Sequence, residues 1–133
     1  MGSIKFDHSD FPLVRVTFVG DATNEEFAAY LAEMGQLFLR RKPNATVLDA
    51  REAGMTPATQ RRMQAEWIRE HEDDLRRFSR GTAFVISSPV IRGALTAILW
   101  LQPMPQPHVV VATVAEAEAW AKARLDAPSA SRG

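Results

Sequence analysis

Short apolar runs alternate with helical patterns along most of the chain, and this alternation limits the folds that the chain can adopt. Two β-type runs open the sequence, from Ile4 to Phe6 and from Leu13 to Gly20. Three later runs, ATVLDA, GTAFVIS and HVVVAT, are typical of buried strands, and a helical pattern follows each of them. Strands that alternate with helices of this length need crossover connections. We therefore predict an α/β domain with the order ββαβαβαβα and a mostly parallel central sheet.

Local signals place the ends of the helices. Thr23 precedes the first helix, and Glu26 three residues later gives the spacing of a capping box. The second helix is predicted from Thr56 to about Phe78, with Thr56 as its cap, Pro57 at the first helical position and Gly81 as its stop. The stretch VAEAEAWAKARL is predicted to form the last helix.

Size and composition narrow the classes of protein. A chain of 133 residues fits one domain, which we expect over residues 1–125, with a flexible tail over 126–133. Sixteen Lys and Arg residues balance sixteen Asp and Glu residues, which argues against a nucleic-acid partner. The absence of cysteine excludes disulfides and thiolate metal sites. We expect a cytoplasmic protein with no membrane span and no cofactor.

The stretch SSPVIRGALTAILWLQP contains a single charge, Arg92. Ser88 is its expected N-cap and Pro89 its first helical residue, so the third helix over residues 89–101 has almost no polar side. One face is expected to pack on the sheet. Burying two further Leu or Ile side chains would stabilise the protein by roughly 3–6 kcal/mol, so a cover is expected for the remaining face. The candidates are a second copy, another protein, an apolar ligand or the following LQPMPQP segment.

The element order and several stretches resemble a known family. VLDA, RRMQAEW, GTAFVIS, RGALTAILW and VATVAEAEAWA are similar to the SpoIIAA-like group of STAS domains (sulphate transporter and anti-sigma factor antagonist). The resemblance covers about residues 4–125 and implies a fold that is similar to the lipid-binding CRAL-TRIO fold. In phospho-regulated STAS domains, a serine after an aspartate opens the second helix, and its position matches Thr56. Because Met55 stands where that aspartate would be, we interpret Thr56 as a helix cap.

Two functions follow from the unusual third helix and the resemblance. The first is a non-enzymatic regulatory or protein-interaction module, in which this helix forms a partner or homodimer surface through Leu95, Leu99, Trp100 and Met104. The alternative is a small apolar-ligand or lipid-binding module of CRAL-TRIO type, in which the third helix, through the same residues, and the first helix line a pocket. The three histidines have no metal-ligand spacing, and no catalytic motif is visible, so we do not predict an enzyme.

A weaker site hypothesis concerns the carboxyl end of the sheet. Asp49 and Arg51 end a buried strand, where ligands bind in open α/β sheets. Arg92 and Gly93 begin the third helix, whose free N–H groups are expected to point toward these strand ends. The two alternatives are a small anion held by Arg92 and a purely local ion pair. In both, Gly93 is expected to permit close packing, so that Gly93→Leu would overpack the fold.

Overall fold

The computed structural model describes residues 3–126, and these form one layered α/β unit. The predicted order of strands and helices is confirmed, with the second helix divided into two. The strands are β1 (Ser3–Asp7), β2 (Leu13–Gly20), β3 (Asn44–Ala53), β4 (Ser79–Val85) and β5 (His108–Val111). The helices are α1 (Asn24–Gln36), α2 (Ala58–Glu70), α3 (Glu72–Phe78), α4 (Pro89–Leu101) and α5 (Val114–Asp126), and a 3-10 turn over Leu37–Arg40 follows α1. The predicted tail over 126–133 lies almost wholly outside the described residues.

The five strands follow one another in space as they do in sequence, in the order β1-β2-β3-β4-β5. β1 pairs antiparallel with β2, and the other three pairings are parallel, which confirms the mostly parallel sheet. Because right-handed crossovers that advance in one direction place their helices on one face, α1, α2 and α4 share a face of the sheet. α5 follows the last strand and packs on the opposite face.

The helix-end predictions have mixed outcomes. Thr23 forms the predicted capping box with Glu26, and Ser88 caps α4 with Pro89 as its first residue. The predicted cap at Thr56 is wrong, because Pro57 is the N-cap of α2 and no side chain caps this end. Thr56 lies one residue too early for its hydroxyl to fill that role.

The prediction of one continuous second helix is also wrong, because His71 separates α2 from α3. Its Nδ1 lies 2.9 Å from the carbonyl oxygen of Trp67, and its ring stacks on the Trp67 indole at 4.5 Å. The carbonyl can only accept, so Nδ1 carries the proton and shares this acceptor with the backbone N–H of His71, which lies 3.0 Å from the same oxygen. Gly81 is not the helix stop, since β4 begins directly after Phe78.

The two faces of the sheet are packed differently. On the α5 face, Ala117 and Ala121 are fully buried and allow the helix to approach β3 and β4 closely. Trp120 lies so close to Gly81 that a β-carbon there would stand 2.5 Å from the indole. The other face carries larger side chains from α1, α2 and α4, and these hold the three helices further from the strands.

Candidate functional site

The apolar helix α4 presents two different faces. Ile91 and Ile98 are buried in the core between the sheet and the helices. Leu95 and Leu99 are half-buried and line a cavity, which is the position expected for them in the ligand-binding alternative, and their role stays a prediction. Trp100 is 87% exposed, the most exposed large apolar side chain among the described residues. Of the predicted surface residues on α4, only Trp100 therefore faces outward.

Trp100 is one of three exposed large apolar residues on α4. Val90 and Leu101, at the two ends of the same helix, are 63% and 60% exposed. Single exposed apolar side chains are ordinary on a protein surface, whereas several on one helix indicate an interaction surface. Met104, also predicted at this surface, packs partly against the core instead.

A shallow groove runs along the outer side of α4, between this helix and α2, and we call it the α2–α4 groove. Gly93 lies in its floor, where an added β-carbon would meet no other atom within 4 Å. The prediction of tight packing at Gly93 is therefore wrong, because this residue faces the open groove and not the sheet. The α2–α4 groove is lined by Ala58, Arg61, Arg62, Gly93, Thr96, Ala97, Trp100 and Leu101.

The charge of the α2–α4 groove is one-sided. Arg61 and Arg62 line it, and its other lining residues are uncharged. Arg61 donates from Nη1 to the carbonyl oxygen of Thr56 at 2.6 Å, which fixes its guanidinium beside the start of α2. Arg62 is exposed. Although the whole chain has no net charge, this surface is apolar and positive.

A second feature is an internal cavity of about 120 Å³ between the sheet and the helices α1, α2 and α4. Tyr30 from α1, Trp67 from α2 and Leu99 from α4 are among its lining residues. Met55, which is exposed, and Thr56 line its outer end beside the carboxyl ends of β2 and β3. The pocket that the alternative function requires, lined by the first helix and the apolar helix, is thus present.

The polar groups around the cavity are neutral. None of the lining residues is an aspartate, glutamate, lysine, arginine or histidine. Tyr30 donates its hydroxyl to Oε1 of Gln64 at 3.2 Å, and burial raises the pKa of this phenol. Gln60 donates from Nε2 to the carbonyl oxygen of Ala22 at 2.8 Å, which ties α2 to the loop before α1.

Gln106 is a polar lining residue of a different kind. It is 6% exposed, and its Nε2 donates to Oγ1 of Thr82 at 3.2 Å. Its Oε1 is buried and has no hydrogen-bond partner among the described residues. The LQPMPQP segment was predicted only as a candidate cover for the apolar helix, and nothing in its composition indicated a buried amide.

Asp49 and Arg51 form a local ion pair. Nε and Nη2 of Arg51 donate to the two carboxylate oxygens of Asp49 at 2.9 and 2.8 Å. These hydrogen bonds lower the pKa of Asp49. Alternation along β3 places Asp49 on the same face as Val47, the face that α5 covers.

Arg92 is separate from this pair. It is exposed, and within residues 3–126 no hydrogen bond or ion pair joins its side chain to Asp49 or Arg51. The first N–H groups of α4 already have an acceptor, because Oγ of Ser88 accepts from Val90 N and Ile91 N. The anion site stays a prediction, since no described contact links Arg92 to the Asp49–Arg51 pair.

Three solved structures are similar to this chain over nearly its whole length. One is an uncharacterised protein of the DUF3478 family with a SpoIIAA-like fold from Shewanella loihica, with a TM-score of 0.61, 13% identity and coverage of 91% of this chain and 95% of that chain. Another is an anti-sigma factor antagonist from Mycobacterium paratuberculosis, with a TM-score of 0.54, 15% identity and coverage of 92% and 93%. These likenesses confirm the SpoIIAA-like fold that the sequence resemblance implies.

The third structure is a complex of the diguanylate cyclase SiaD with its activator SiaC from Pseudomonas aeruginosa. The TM-score is 0.51 at 10% identity, and the match covers 84% of this chain and 93% of that chain. No protein-family model and no curated protein matches the sequence. Within residues 3–126, no helix is long and apolar enough to cross a membrane. The same residues contain no cluster of three or more potential metal ligands.

Proposed function

We propose that the protein is a non-enzymatic regulatory module that binds another protein through the α2–α4 groove. The observation that carries this proposal is Trp100, which lies 87% exposed beside a groove with arginines on its other wall. Trp and Arg are the residues that most often dominate the binding energy of protein interfaces. A partner that covered Trp100 and Leu101 would remove from water the apolar surface that the fold leaves exposed on α4.

The charge of the groove favours a partner with an acidic surface. Arg61 and Arg62 would face the partner, and no lining residue offers a negative charge. A symmetric homodimer through this surface would place the same patch of both copies together and would bring these arginines near their own counterparts. Like charges in an interface are destabilising. We therefore favour a second, acidic protein over a second copy of this chain.

The structural neighbours support a regulatory role by analogy of fold. One of them is described as an anti-sigma factor antagonist, and another is a complex of a diguanylate cyclase with its activator. The antagonist in the first description and the activator in the second are proteins that act on other proteins. The pKa values of Asp49 and Glu118 are lowered by hydrogen bonds from Arg51 and Arg15, respectively.

The proposal can be tested by photo-crosslinking in cells of the source organism. A photoreactive phenylalanine replaces Trp100, and the matched control carries it at Ala119, which is exposed on α5 on the opposite side of the sheet. We expect a discrete adduct with another protein from position 100 only, and we expect Arg62→Glu to remove it. An adduct that contains only a second copy of this chain, or one that forms equally from position 119, would contradict the proposal.

Affinity measurements with the purified partner then give the energetic test. Trp100→Ala is expected to weaken binding by about thirtyfold, the effect of losing an interface hot spot. Because Trp100 makes little contact with its own domain, the melting temperature of this variant should stay within about 2 °C of the wild type. A Trp100→Ala variant that binds with unchanged affinity would exclude the α2–α4 groove as the interface.

A further inference from the structure

The cavity between the sheet and the helices α1, α2 and α4 has a composition that selects for one kind of occupant. Its volume is about 120 Å³. A cavity of about 150 Å³ with apolar walls is large enough to bind benzene. The space here therefore suits a molecule of about the size of one six-membered ring.

The walls of the cavity exclude an ionised ligand. They carry no charged side chain, and Tyr30, the one titratable lining residue, is kept neutral by burial. A carboxylate, phosphate or ammonium group placed there would lose its hydration without a partner charge. This excludes the carboxylate of a fatty acid and the headgroup of a phospholipid from the interior of the cavity.

Gln106 is a polar side chain in these apolar walls, and its amide needs a further hydrogen-bond partner. Its side-chain amide has one partner, Thr82, and one buried atom without a partner among the described residues. Rotating the amide by 180° would exchange its oxygen and nitrogen and would leave the other atom unpaired. In either orientation, a hydroxyl group could satisfy the amide, because a hydroxyl both donates and accepts.

From these observations we propose that the cavity binds a small neutral molecule with a ring-sized apolar body and one hydroxyl group, and that Gln106 recognises the hydroxyl. An unpaired buried amide atom is costly, and a ligand that pairs with it recovers part of this free energy. The proposal does not depend on the α2–α4 groove, because Gln106 and the groove residues line different spaces.

The test uses two probes that differ by one hydroxyl group, 4-fluorophenol and fluorobenzene, with binding measured by 19F NMR on the full chain. We expect both probes to bind, and 4-fluorophenol to bind about fivefold more tightly, which corresponds to one net hydrogen bond. The key variant is Gln106→Leu, which removes the amide and keeps a side chain of similar size. In this variant, the preference for 4-fluorophenol should disappear while fluorobenzene still binds.

A second variant tests the location. Leu99→Phe adds volume to the wall of the cavity near the end of α4 that precedes the Gln106 segment, and should weaken the binding of both probes by about tenfold. Circular dichroism and melting curves establish that each variant folds. The proposal is overturned if neither probe binds at millimolar concentration, if the preference for 4-fluorophenol survives Gln106→Leu, or if palmitate binds more tightly than both probes.

Discussion

Gly81 and Gly93 are expected to respond to the same substitution with opposite signs. In Gly81→Ala, the new β-carbon would lie 2.5 Å from Cη2 and 2.7 Å from Cζ3 of Trp120. Carbon atoms in favourable contact are about 3.5–4.0 Å apart, so the indole must move by roughly 1 Å. Overpacking of this kind costs about 1–3 kcal/mol, which for a domain of this size lowers the melting temperature by about 4–12 °C.

Gly93→Ala is the matched control, because it makes the same chemical change in open space. An added β-carbon at Gly93 meets no other atom within 4 Å, and the residue lies inside α4. Alanine is a better helix former than glycine, so this variant should be more stable by about 0.5–1 kcal/mol. Urea unfolding followed by circular dichroism measures both changes under the same conditions.

A double-mutant cycle decides whether the indole is the cause. In a Trp120→Leu background, Gly81→Ala should cost less than in the wild type, because the ring that it contacts is gone and only the backbone strain of a β-carbon at a φ of +158° remains. If Gly81→Ala costs as much in this background as in the wild type, the close approach of α5 to β4 does not explain the effect. A destabilised Gly93→Ala would likewise refute the placement of this residue on the outer face of α4.

Two further predictions concern pH and helix caps. Glu118 accepts a hydrogen bond from Nε of Arg15 at 2.7 Å, which lowers its pKa below the ordinary 4.5. Because the pKa of Glu118 is lower in the folded state, its charge stabilises the fold at pH values above the ordinary pKa, and this stabilisation is lost as the pH falls through the lowered pKa. The wild type should therefore lose about 0.5–1 kcal/mol of its stability advantage over Glu118→Gln when urea unfolding is measured at successively lower pH below about 4.5. Thr23→Ala should cost about 1 kcal/mol because it removes a capping box, whereas Thr56→Ala should change the stability by less than about 0.5 kcal/mol. Equal losses in urea unfolding would show that Thr56 supports the start of α2 after all.

The sequence was sufficient to predict the layered fold, because strands and helices leave regular patterns of apolar residues along the chain. The buried parallel strands are continuous apolar runs, and the capping signals at Thr23 and Ser88 lie directly before helices. The break at His71 was not predictable in the same way. It depends on stacking between His71, Trp67 and Phe38, and Phe38 is distant in the sequence.

The site was harder to predict, because α4 is apolar on almost all sides. Periodicity cannot tell which apolar face of such a helix is buried, so the sequence could not decide whether Leu95 and Leu99 face a partner or line a pocket. The burial of Gln106 depends on Thr82 from another strand, and a linear pattern does not contain that contact. Local ion pairs are similarly decided by geometry, as the pairing of Asp49 with Arg51 shows.

The unequal packing of the two faces also makes the molecule unequally compressible. The α5 side is closely packed around small residues, whereas the other side holds a cavity of about 120 Å³. Where unfolding eliminates internal space, the volume of the system decreases, so this side should contribute more than the α5 side to the volume change of unfolding. Hydrostatic pressure should therefore act first on the layer formed by α1, α2 and α4, and a molecule bound in the cavity would make this layer resist compression.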